Sequence, residues 1–262
     1  MELHMYEEKI VENTQITKNV FLMKIDCAAA AAKVQPGQFV NLYTGRADLL
    51  LPRPISIFSA ADGLLQLAYA VVGKGTAHFA EMKAGATIRF TDPLGKGFRT
   101  DEVREGDTAI LLGGGLGVAP LFQLARVLKG KGANIICLAG AEEKPYFTEE
   151  WEALGVTYKT ILNNPPGGGR RGTVMDLLIE EESAAKPVAK THNYACGPVN
   201  MLKALALHYA ARSEDIQVSM EERMGCGYGA CVGCVCETKK GRKKVCSKGP
   251  VFLGSEVRWD AE

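Results

Sequence analysis

Residues 224–246 read MGCGYGACVGCVCETKKGRKKVC and hold five of the eight cysteines of the chain. Cys226, Cys231 and Cys234 follow a C-x4-C-x2-C spacing, and eleven residues lie between Cys234 and Cys246. This order of four thiolates is the one that plant-type [2Fe–2S] clusters use. The stretch therefore predicts a small iron–sulfur segment, with Cys226, Cys231, Cys234 and Cys246 as its ligands.

Glycines between these cysteines support the cluster interpretation. Because Gly225, Gly227, Gly229 and Gly233 have no Cβ, the loop can wrap round a cluster and turn main-chain N–H groups towards its sulfur atoms. A structural zinc site is the alternative. Zinc modules usually carry two separate C-x2-C pairs, whereas three cysteines share one loop here, so iron–sulfur is favoured. Disulfides are disfavoured because residues 1–9 lack the apolar stretch of a signal peptide.

The remaining cysteines and the basic tract have plainer interpretations. Cys236 follows Cys234 at the spacing of a strand, and we expect it to be a small buried residue rather than a fifth ligand. Cys27 and Cys137 lie in or beside apolar runs, which predicts the same of them. If the segment were a zinc module, the basic tract at residues 239–244 could bind nucleic acid. A solvated hairpin tip between two ligands is favoured.

Composition limits the possible functions. The 262 residues can form two domains with their own cores, with the cysteine segment as a third unit. A formal net charge of +1 argues against general nucleic-acid binding. No window approaches about eighteen uninterrupted apolar residues, so we expect no membrane span and a cytoplasmic location.

The first hundred residues predict a small β-barrel. Short apolar runs alternate with turn signals, at residues 20–25, 38–43, 55–58 and 65–69. Many short strands at this spacing are typical of a barrel. We expect a helix over residues 76–82 to lie across it and residues 88–98 to close it. Residues 1–100 are assigned to this domain.

Two features of the predicted barrel suit a flavin. The segment Arg53-Pro54-Ile55-Ser56 sets guanidinium donors and a hydroxyl beside a rigid proline, which fits a phosphate next to a polar ring. Residues 73–76, which include Gly75 and Thr76, open the predicted helix, whose free N–H groups favour a pyrophosphate. Taken alone, Arg53 is explained as a surface arginine, and Gly75 with Thr76 as an ordinary helix cap. Beside an iron–sulfur motif they favour a flavin, since a one-electron cluster needs a two-electron partner.

A charged link, residues 101–107, leads into a region with a different periodicity. Five apolar runs occur at residues 108–112, 134–138, 156–162, 193–196 and 216–220. Helical patterns alternate with them at residues 120–128, 148–154, 173–181 and 198–211. Such alternation predicts a doubly wound, five-stranded parallel sheet with helices on both faces. Residues 101–221 are assigned to this α/β domain.

The α/β domain has glycines and a carboxylate where nucleotides bind in such folds. The first strand-to-helix turn lets the backbone approach a pyrophosphate, and its glycines are Gly113, Gly114, Gly115 and Gly117. Val118 occupies the third glycine position of G-x-G-x-x-G, so a tight turn without a ligand is the alternative. Glu142, after the second strand, can accept from ribose hydroxyls and repel a 2′-phosphate, which favours NAD over NADP.

The fourth predicted strand ends in Cys196-Gly197-Pro198. This position places a thiol at the crevice outside the carboxyl ends of the strands, where ligands bind in open α/β sheets. A small buried residue explains the cysteine equally well. Both interpretations stay open at the level of sequence.

With these residues assembled, the chain resembles the ferredoxin–NAD(P) reductase superfamily. The Arg53–Ser56 segment, the Gly113–Pro120 turn and Cys196-Gly197-Pro198 match it in order. The cysteine segment narrows the resemblance, and from Met5 onward the chain is similar to the electron-transfer subunits of dihydroorotate dehydrogenase B. The resemblance implies an FAD-binding barrel, an NAD-binding α/β domain and a [2Fe–2S] domain over residues 222–262. The residues implied to hold FAD are Arg53, Pro54, Ile55, Ser56, Ala70, Val71, Val72, Gly75 and Thr76.

The resemblance also implies a partner and a function. The partner is a catalytic subunit with FMN that oxidises dihydroorotate, in a heterotetramer with two copies of each chain. Electrons would pass from FMN through the cluster and FAD to NAD+ in pyrimidine biosynthesis. No acid or base is needed for the last step, and the scattered histidines, His4, His78, His192 and His208, fit a site without catalytic side chains. The alternative is a reductase subunit of another flavin and iron–sulfur complex, linked to ferredoxin or sulfur species.

Overall fold

The computed structural model of the chain describes residues 3–184 and 190–260. Its first part contains six strands: β1 (Met5–Gln15), β2 (Val20–Asp26), β3 (Phe39–Tyr43), β4 (Arg53–Ala61), β5 (Leu64–Ala70) and β6 (Thr87–Thr91). They close into a barrel in the order β1-β2-β5-β4-β3-β6, with every neighbouring pair antiparallel. Two helices, α1 (Ala28–Ala31) and α2 (Lys74–Glu81), lie between the strands. The predicted barrel is confirmed, and α2 begins at Lys74 instead of Thr76.

Alternation along β3 explains how this strand serves two cores. Val40 and Leu42 are fully buried in the barrel core. Phe39 points the other way and belongs to a second core that also contains Cys234 and Cys246. Because side chains alternate along a strand, Asn41 shares the outward face with Phe39. The barrel therefore carries one strand face that is buried against the rest of the protein.

The second part contains five parallel strands: β7 (Thr108–Gly114), β8 (Asn134–Ala141), β9 (Thr157–Leu162), β10 (Thr191–Cys196) and β11 (Gln217–Ser219). Four helices connect them: α3 (Val118–Gly130), α4 (Thr148–Leu154), α5 (Val174–Ala184) and α6 (Val199–Ala210). The strand order is β11-β10-β7-β8-β9, so the order reverses between β7 and β10. The predicted five-stranded parallel sheet is confirmed, and its crevice opens at this reversal.

The sheet has a sixth strand that the sequence analysis did not predict. In the C-terminal segment, β12 (Val235–Thr238) and β13 (Gly241–Lys244) form a hairpin, followed by α7 (Val245–Lys248) and β14 (Val251–Leu253). Strand β14 pairs antiparallel with β11 and becomes an edge of the large sheet. A three-residue strand gives little periodic signal, and its pairing is decided by a partner more than thirty residues away.

Contacts between aromatic rings join the barrel to the α/β domain. Phe58 in β4 stacks on Phe122 in α3, with ring centroids 4.5 Å apart. Next to them, Gln123 accepts a hydrogen bond from the backbone N–H of Ala60 at 3.0 Å. Helix α3 therefore packs on the barrel as well as on its own sheet. Among the helices that the described residues form, none is both long and apolar enough to cross a membrane.

Candidate functional site

A cleft of about 530 Å³ lies between the barrel, the carboxyl ends of β7 and β10, and the C-terminal segment. Most of the residues that the sequence analysis assigned to FAD or NAD line it. They are Arg53, Pro54, Ile55, Ser56, Ala70, Val72, Thr76, Gly114, Gly115, Gly117, Cys196, Gly197 and Pro198. The fold thus brings two sets of residues that are far apart in the sequence to one cavity.

Four assigned residues lie outside the lining of the cleft. The N–H of Val71 donates to the carbonyl of Asn19 at 2.7 Å, and Gly113 is buried within β7. Gly75 lies beneath the Arg53 side chain, and Glu142 follows the end of β8. Gly75 and Val71 therefore shape the backbone behind the cleft rather than its surface.

The start of α2 and Arg53 form one polar corner of the cleft. A Cβ at position 75 would come within 2.7 Å of Arg53 Cζ, so a larger residue here would displace the guanidinium from this helix end. The Thr76 hydroxyl accepts hydrogen bonds from the N–H groups of Val72 and Gly73, at 2.9 and 3.2 Å. Arg53 itself donates to the carbonyl of Leu51 at 2.5 Å. A guanidinium beside a helix N-terminus is suited to a phosphate group.

Cys196, the last residue of β10, also lines the cleft. Burial raises the pKa of Cys196 to about 12, although a hydrogen bond with Ser219 opposes the shift. Such a raised pKa favours the neutral thiol at physiological pH. The sequence left open whether Cys196 faces the ligand crevice or is a small buried residue. Its position combines both, since the residue is largely buried and also lines the cavity.

Glu142 is held by the loop that follows β9. Its carboxylate accepts a hydrogen bond from Asn163 Nδ2 at 3.2 Å and another from Asn164 Nδ2. The side chain is exposed just past the end of β8, at the carboxyl edge of the sheet. Such a carboxylate can accept hydrogen bonds from a ribose, as the sequence analysis expected, but it lies away from the cleft described above.

The four predicted cluster ligands lie in two pairs. In the first pair, Cys231 Sγ is 3.4 Å from Cys226 Sγ, and the N–H of Cys231 also points at Cys226 Sγ at 3.4 Å. In the second pair, the N–H of Cys246 points at Cys234 Sγ at 3.5 Å. Cys234 and Cys246 are almost completely buried, whereas Cys226 and Cys231 are partly exposed.

The thiols of the two pairs differ in acidity. Burial opposes ionisation of Cys226, but backbone hydrogen bonds, led by the one from Cys231, outweigh it and lower the pKa to about 6. Burial and the neighbouring Cys234 sulfur raise the pKa of Cys246 to about 12. The N–H of Gly229 favours the thiolate at both positions. Main-chain donors therefore point at the cysteine sulfurs; that N–H groups also point at the inorganic sulfur of a cluster stays a prediction.

This arrangement fits a diiron cluster better than a single metal ion. Each iron of a [2Fe–2S] cluster takes two ligands from the protein, so two cysteine pairs are what it requires. A tetrahedral zinc site would instead need all four sulfurs round one ion. Cys236 is buried in β12 and its thiol faces the carbonyl of Glu237 at 3.6 Å, so it is not one of the ligands.

Comparison with known proteins agrees with this geometry. Residues 221–258 match the iron–sulfur cluster binding domain of dihydroorotate dehydrogenase B, and residues 111–206 match an oxidoreductase NAD-binding domain. The dihydroorotate dehydrogenase B (NAD(+)) electron transfer subunit of Enterococcus faecalis strain V583 is 39% identical over 257 residues, covering 95% of this chain and 96% of that protein. This chain belongs to the family of dihydroorotate dehydrogenase B electron transfer subunits. The subunit of Fusobacterium nucleatum is 37% identical over 255 residues, covering 95% and 96%.

Solved structures show the same architecture as this electron transfer subunit. A chain from an NADH-dependent reduced ferredoxin–NADP oxidoreductase, described in work on flavin-based electron bifurcation, has a TM-score of 0.82 and 28% identity. The match covers 97% of this chain and 90% of that one. A ferredoxin NADP+ reductase from Neisseria gonorrhoeae with bound FAD and NADP has a TM-score of 0.59 and 21% identity, covering 76% and 87%. The second likeness is one of fold alone.

Two contacts of the electron transfer subunit's cluster loop were missed by the sequence analysis. Asn41 Nδ2 donates to the carbonyl of Cys226 at 2.8 Å, and Lys244 Nζ donates to the carbonyl of Gly229 at 2.7 Å. A polar residue within a buried strand is the only local signal for Asn41, and nothing local separates Lys244 from the other lysines of its tract. Further lining residues of the cleft that were missed include Phe39, Leu116, Met220, Glu222, Met224 and Pro250.

Proposed function

We propose that this electron transfer subunit carries electrons between NAD+ and an FMN-containing subunit that oxidises dihydroorotate, in pyrimidine biosynthesis. One observation carries the proposal. The cleft that holds the predicted FAD and NAD residues also includes Met224, two positions before the first cluster ligand, Cys226. A flavin in this cleft would lie next to the cysteine loop. Electron transfer between two cofactors requires that closeness.

The cofactors of the proposal are FAD, a [2Fe–2S] cluster and NAD as co-substrate. When bound, FAD would exchange single electrons with the cluster and a hydride with NAD. Arg53 and the start of α2 would hold the FAD phosphates, with residues 54–56 and 70–72 against the rest of the flavin. Residues 113–117, Glu142 and residues 196–198 would hold NAD. Cys226, Cys231, Cys234 and Cys246 would hold the cluster.

The side chains of the cleft would bind and orient without acid or base chemistry. The neutral Cys196 thiol and the apolar Phe39, Met220 and Pro250 would keep water from the hydride path. The protein would then set the distance between the cofactors, their orientation and their reduction potentials.

Assembly and location belong to the same proposal. The relatives are named electron transfer subunits, which supports a separate catalytic partner, and we propose two copies of each chain in a cytoplasmic heterotetramer. The domain limits of 1–100, 101–221 and 222–262 stay a prediction. A subunit linked to ferredoxin or sulfur species is not favoured. The relatives of up to 40% identity carry the dihydroorotate dehydrogenase B name, against 28% identity for the bifurcating oxidoreductase.

The experiment is co-expression of this chain with a dihydroorotate-oxidising, FMN-containing subunit, followed by an assay of orotate formation with NAD+. We expect NAD+-dependent orotate formation, and loss of it in Cys231→Ser with FAD retained. Cys236→Ser is the matched control, because Cys236 is a buried cysteine of the same segment outside both pairs. Full activity in Cys231→Ser, or a folded chain without iron and flavin after anaerobic reconstitution, would contradict the proposal.

A further inference from the structure

Asn41 lies on the barrel face that is buried against the rest of the protein. It pairs with Pro54 in the neighbouring strand, and Pro54 lines the cleft together with Phe39, the residue two positions before Asn41. The backbone N–H of Asn41 donates to the Thr91 hydroxyl at 3.1 Å, which fixes its position in the strand. The side chain thus starts from the strand face that forms one wall of the proposed flavin site.

From this face the side chain reaches the cluster loop. Asn41 Nδ2 donates a hydrogen bond of 2.8 Å to the carbonyl of Cys226, the first cluster ligand, 185 residues further along the chain. At Gly227, which has a φ of 78°, a Cβ would come within 2.6 Å of Asn41 Oδ1. The loop is therefore shaped to receive this amide. A larger residue at position 227 would separate the loop from the barrel.

Burial of the Asn41 amide is costly. Asn41 is fully buried, and its Oδ1 accepts no hydrogen bond from any residue that the structure describes. Burying an acceptor without a donor destabilises a fold, so an apolar side chain of similar size would be easier to bury here. The contact that Nδ2 makes with the ligand loop is what an apolar residue could not supply.

We propose that Asn41 is a positioning residue that fixes the Cys226 end of the cluster loop against the flavin-binding wall, and thereby sets the rate of electron exchange between flavin and cluster. The proposal rests on the proposed function for the two cofactors. Partners outside the ligand shell of a metal commonly control its ligand geometry in this way. Unlike most such residues, Asn41 belongs to a different domain from the cluster, namely the barrel that would bind FAD.

The test uses the full chain, reconstituted anaerobically with FAD and cluster, in three forms: unsubstituted, Asn41→Leu and Asn193→Leu. Asn193 is the matched control, because it is a buried asparagine of the α/β domain whose Oδ1 also lacks a described donor. NADH reduces the flavin, and stopped-flow absorbance follows flavin reduction and then cluster reduction. The electron paramagnetic resonance spectrum of the reduced cluster is recorded separately with dithionite, which bypasses the flavin.

In Asn41→Leu we expect flavin reduction by NADH at the unsubstituted rate, cluster reduction slowed about tenfold, and a changed resonance spectrum. Asn193→Leu should match the unsubstituted chain in all three readouts. An Asn41→Leu chain with unchanged transfer rate and spectrum overturns the proposal. If leucine prevents folding, Asn41→Ser decides by the same readouts. An unsubstituted chain that binds no flavin or no cluster would instead overturn the proposed function.

Discussion

Lys244 Nζ donates a hydrogen bond of 2.7 Å to the carbonyl oxygen of Gly229. The N–H of this glycine points into the cluster loop, where it favours the thiolates of Cys226 and Cys246 and so acts to lower the pKa of each. The lysine therefore holds the carbonyl side of the glycine whose N–H favours two of the predicted ligands, and it places an ammonium group on the cluster loop. One lysine of the basic tract thus has a specific position in the cluster site.

We expect Lys244→Met to lower the reduction potential of the cluster. Reduction adds negative charge, which a nearby ammonium stabilises, so its removal makes the reduced cluster less stable. A tenfold change in the equilibrium corresponds to about 59 mV for a one-electron couple, and a shift of this order is expected. A redox titration followed by electron paramagnetic resonance measures it.

The matched control for this change is Lys240→Met, because Lys240 carries the same charge at the exposed tip of the β12–β13 hairpin. Lys240→Met should leave the reduction potential close to that of the unsubstituted chain. Lys244→Arg keeps the positive charge, so it should also leave most of the potential unchanged. Equal shifts in Lys244→Met and Lys240→Met would show that only the net charge of the tract matters.

Arg53→Ala is expected to weaken FAD binding. The guanidinium lies against the start of α2 and lines the cleft, so its loss would remove the charge-assisted hydrogen bond that we propose it donates to a phosphate of FAD. Such a bond contributes about 2 kcal/mol, which corresponds to about thirtyfold in affinity. Titration of the flavin-free chain with FAD, followed by flavin fluorescence, measures the change. Arg46→Ala is the control, because Arg46 is exposed and paired with Asp48. An unchanged affinity in Arg53→Ala would remove this residue from the flavin site.

Glu142→Gln is expected to reduce the preference for NADH over NADPH by about tenfold, because a neutral amide no longer repels a 2′-phosphate. The readout is the ratio of kcat/KM values for flavin reduction by the two nucleotides. The neighbouring Glu143→Gln serves as the control, because the hydrogen bonds from Asn163 and Asn164 go to Glu142 and not to Glu143. If Glu143→Gln changes the ratio and Glu142→Gln does not, the assignment of the ribose contact to Glu142 is wrong.

Asp92→Asn is expected to lower the free energy of unfolding at pH 7 by about 1 kcal/mol. Burial opposes ionisation of Asp92, but hydrogen bonds from Lys33, Tyr6 and the N–H of His4 outweigh it and hold the pKa below its ordinary value of 3.8. A carboxyl with a lowered pKa stabilises the fold above its unfolded pKa, and this stabilisation is lost as the pH falls through the folded pKa.

The difference between Asp92→Asn and the unsubstituted chain should therefore shrink below pH 3.8. Urea unfolding at a series of pH values measures it, with Asp26→Asn at an exposed strand end as the control. A difference that stays constant down to pH 2 would mean that the carboxylate charge contributes nothing.

Local spacing was enough to predict most of the architecture. The α4 limits, Thr148–Leu154, were predicted to the residue, and just before α5 the N–H and the hydroxyl of Thr173 both donate to the Asp176 carboxylate, at 2.6 and 2.8 Å. Such features depend on residues within one or two turns of each other. Strand β14 was missed for the opposite reason. Its three residues become a strand only because β11 offers a free edge.

The sequence by itself determined the order and spacing of the cysteines that are predicted to hold the cluster, the alternation of the α/β domain, and the glycine and arginine patterns around Gly113 and Arg53. Each of these is a short-range pattern whose period or spacing carries its meaning. Only the tertiary structure decided that Asn41 meets Cys226, that Lys244 alone of its tract supports Gly229, and that Glu142 stands apart from the cleft. These contacts join segments through the packing of separate elements, and no spacing along the chain records which side chains will face each other.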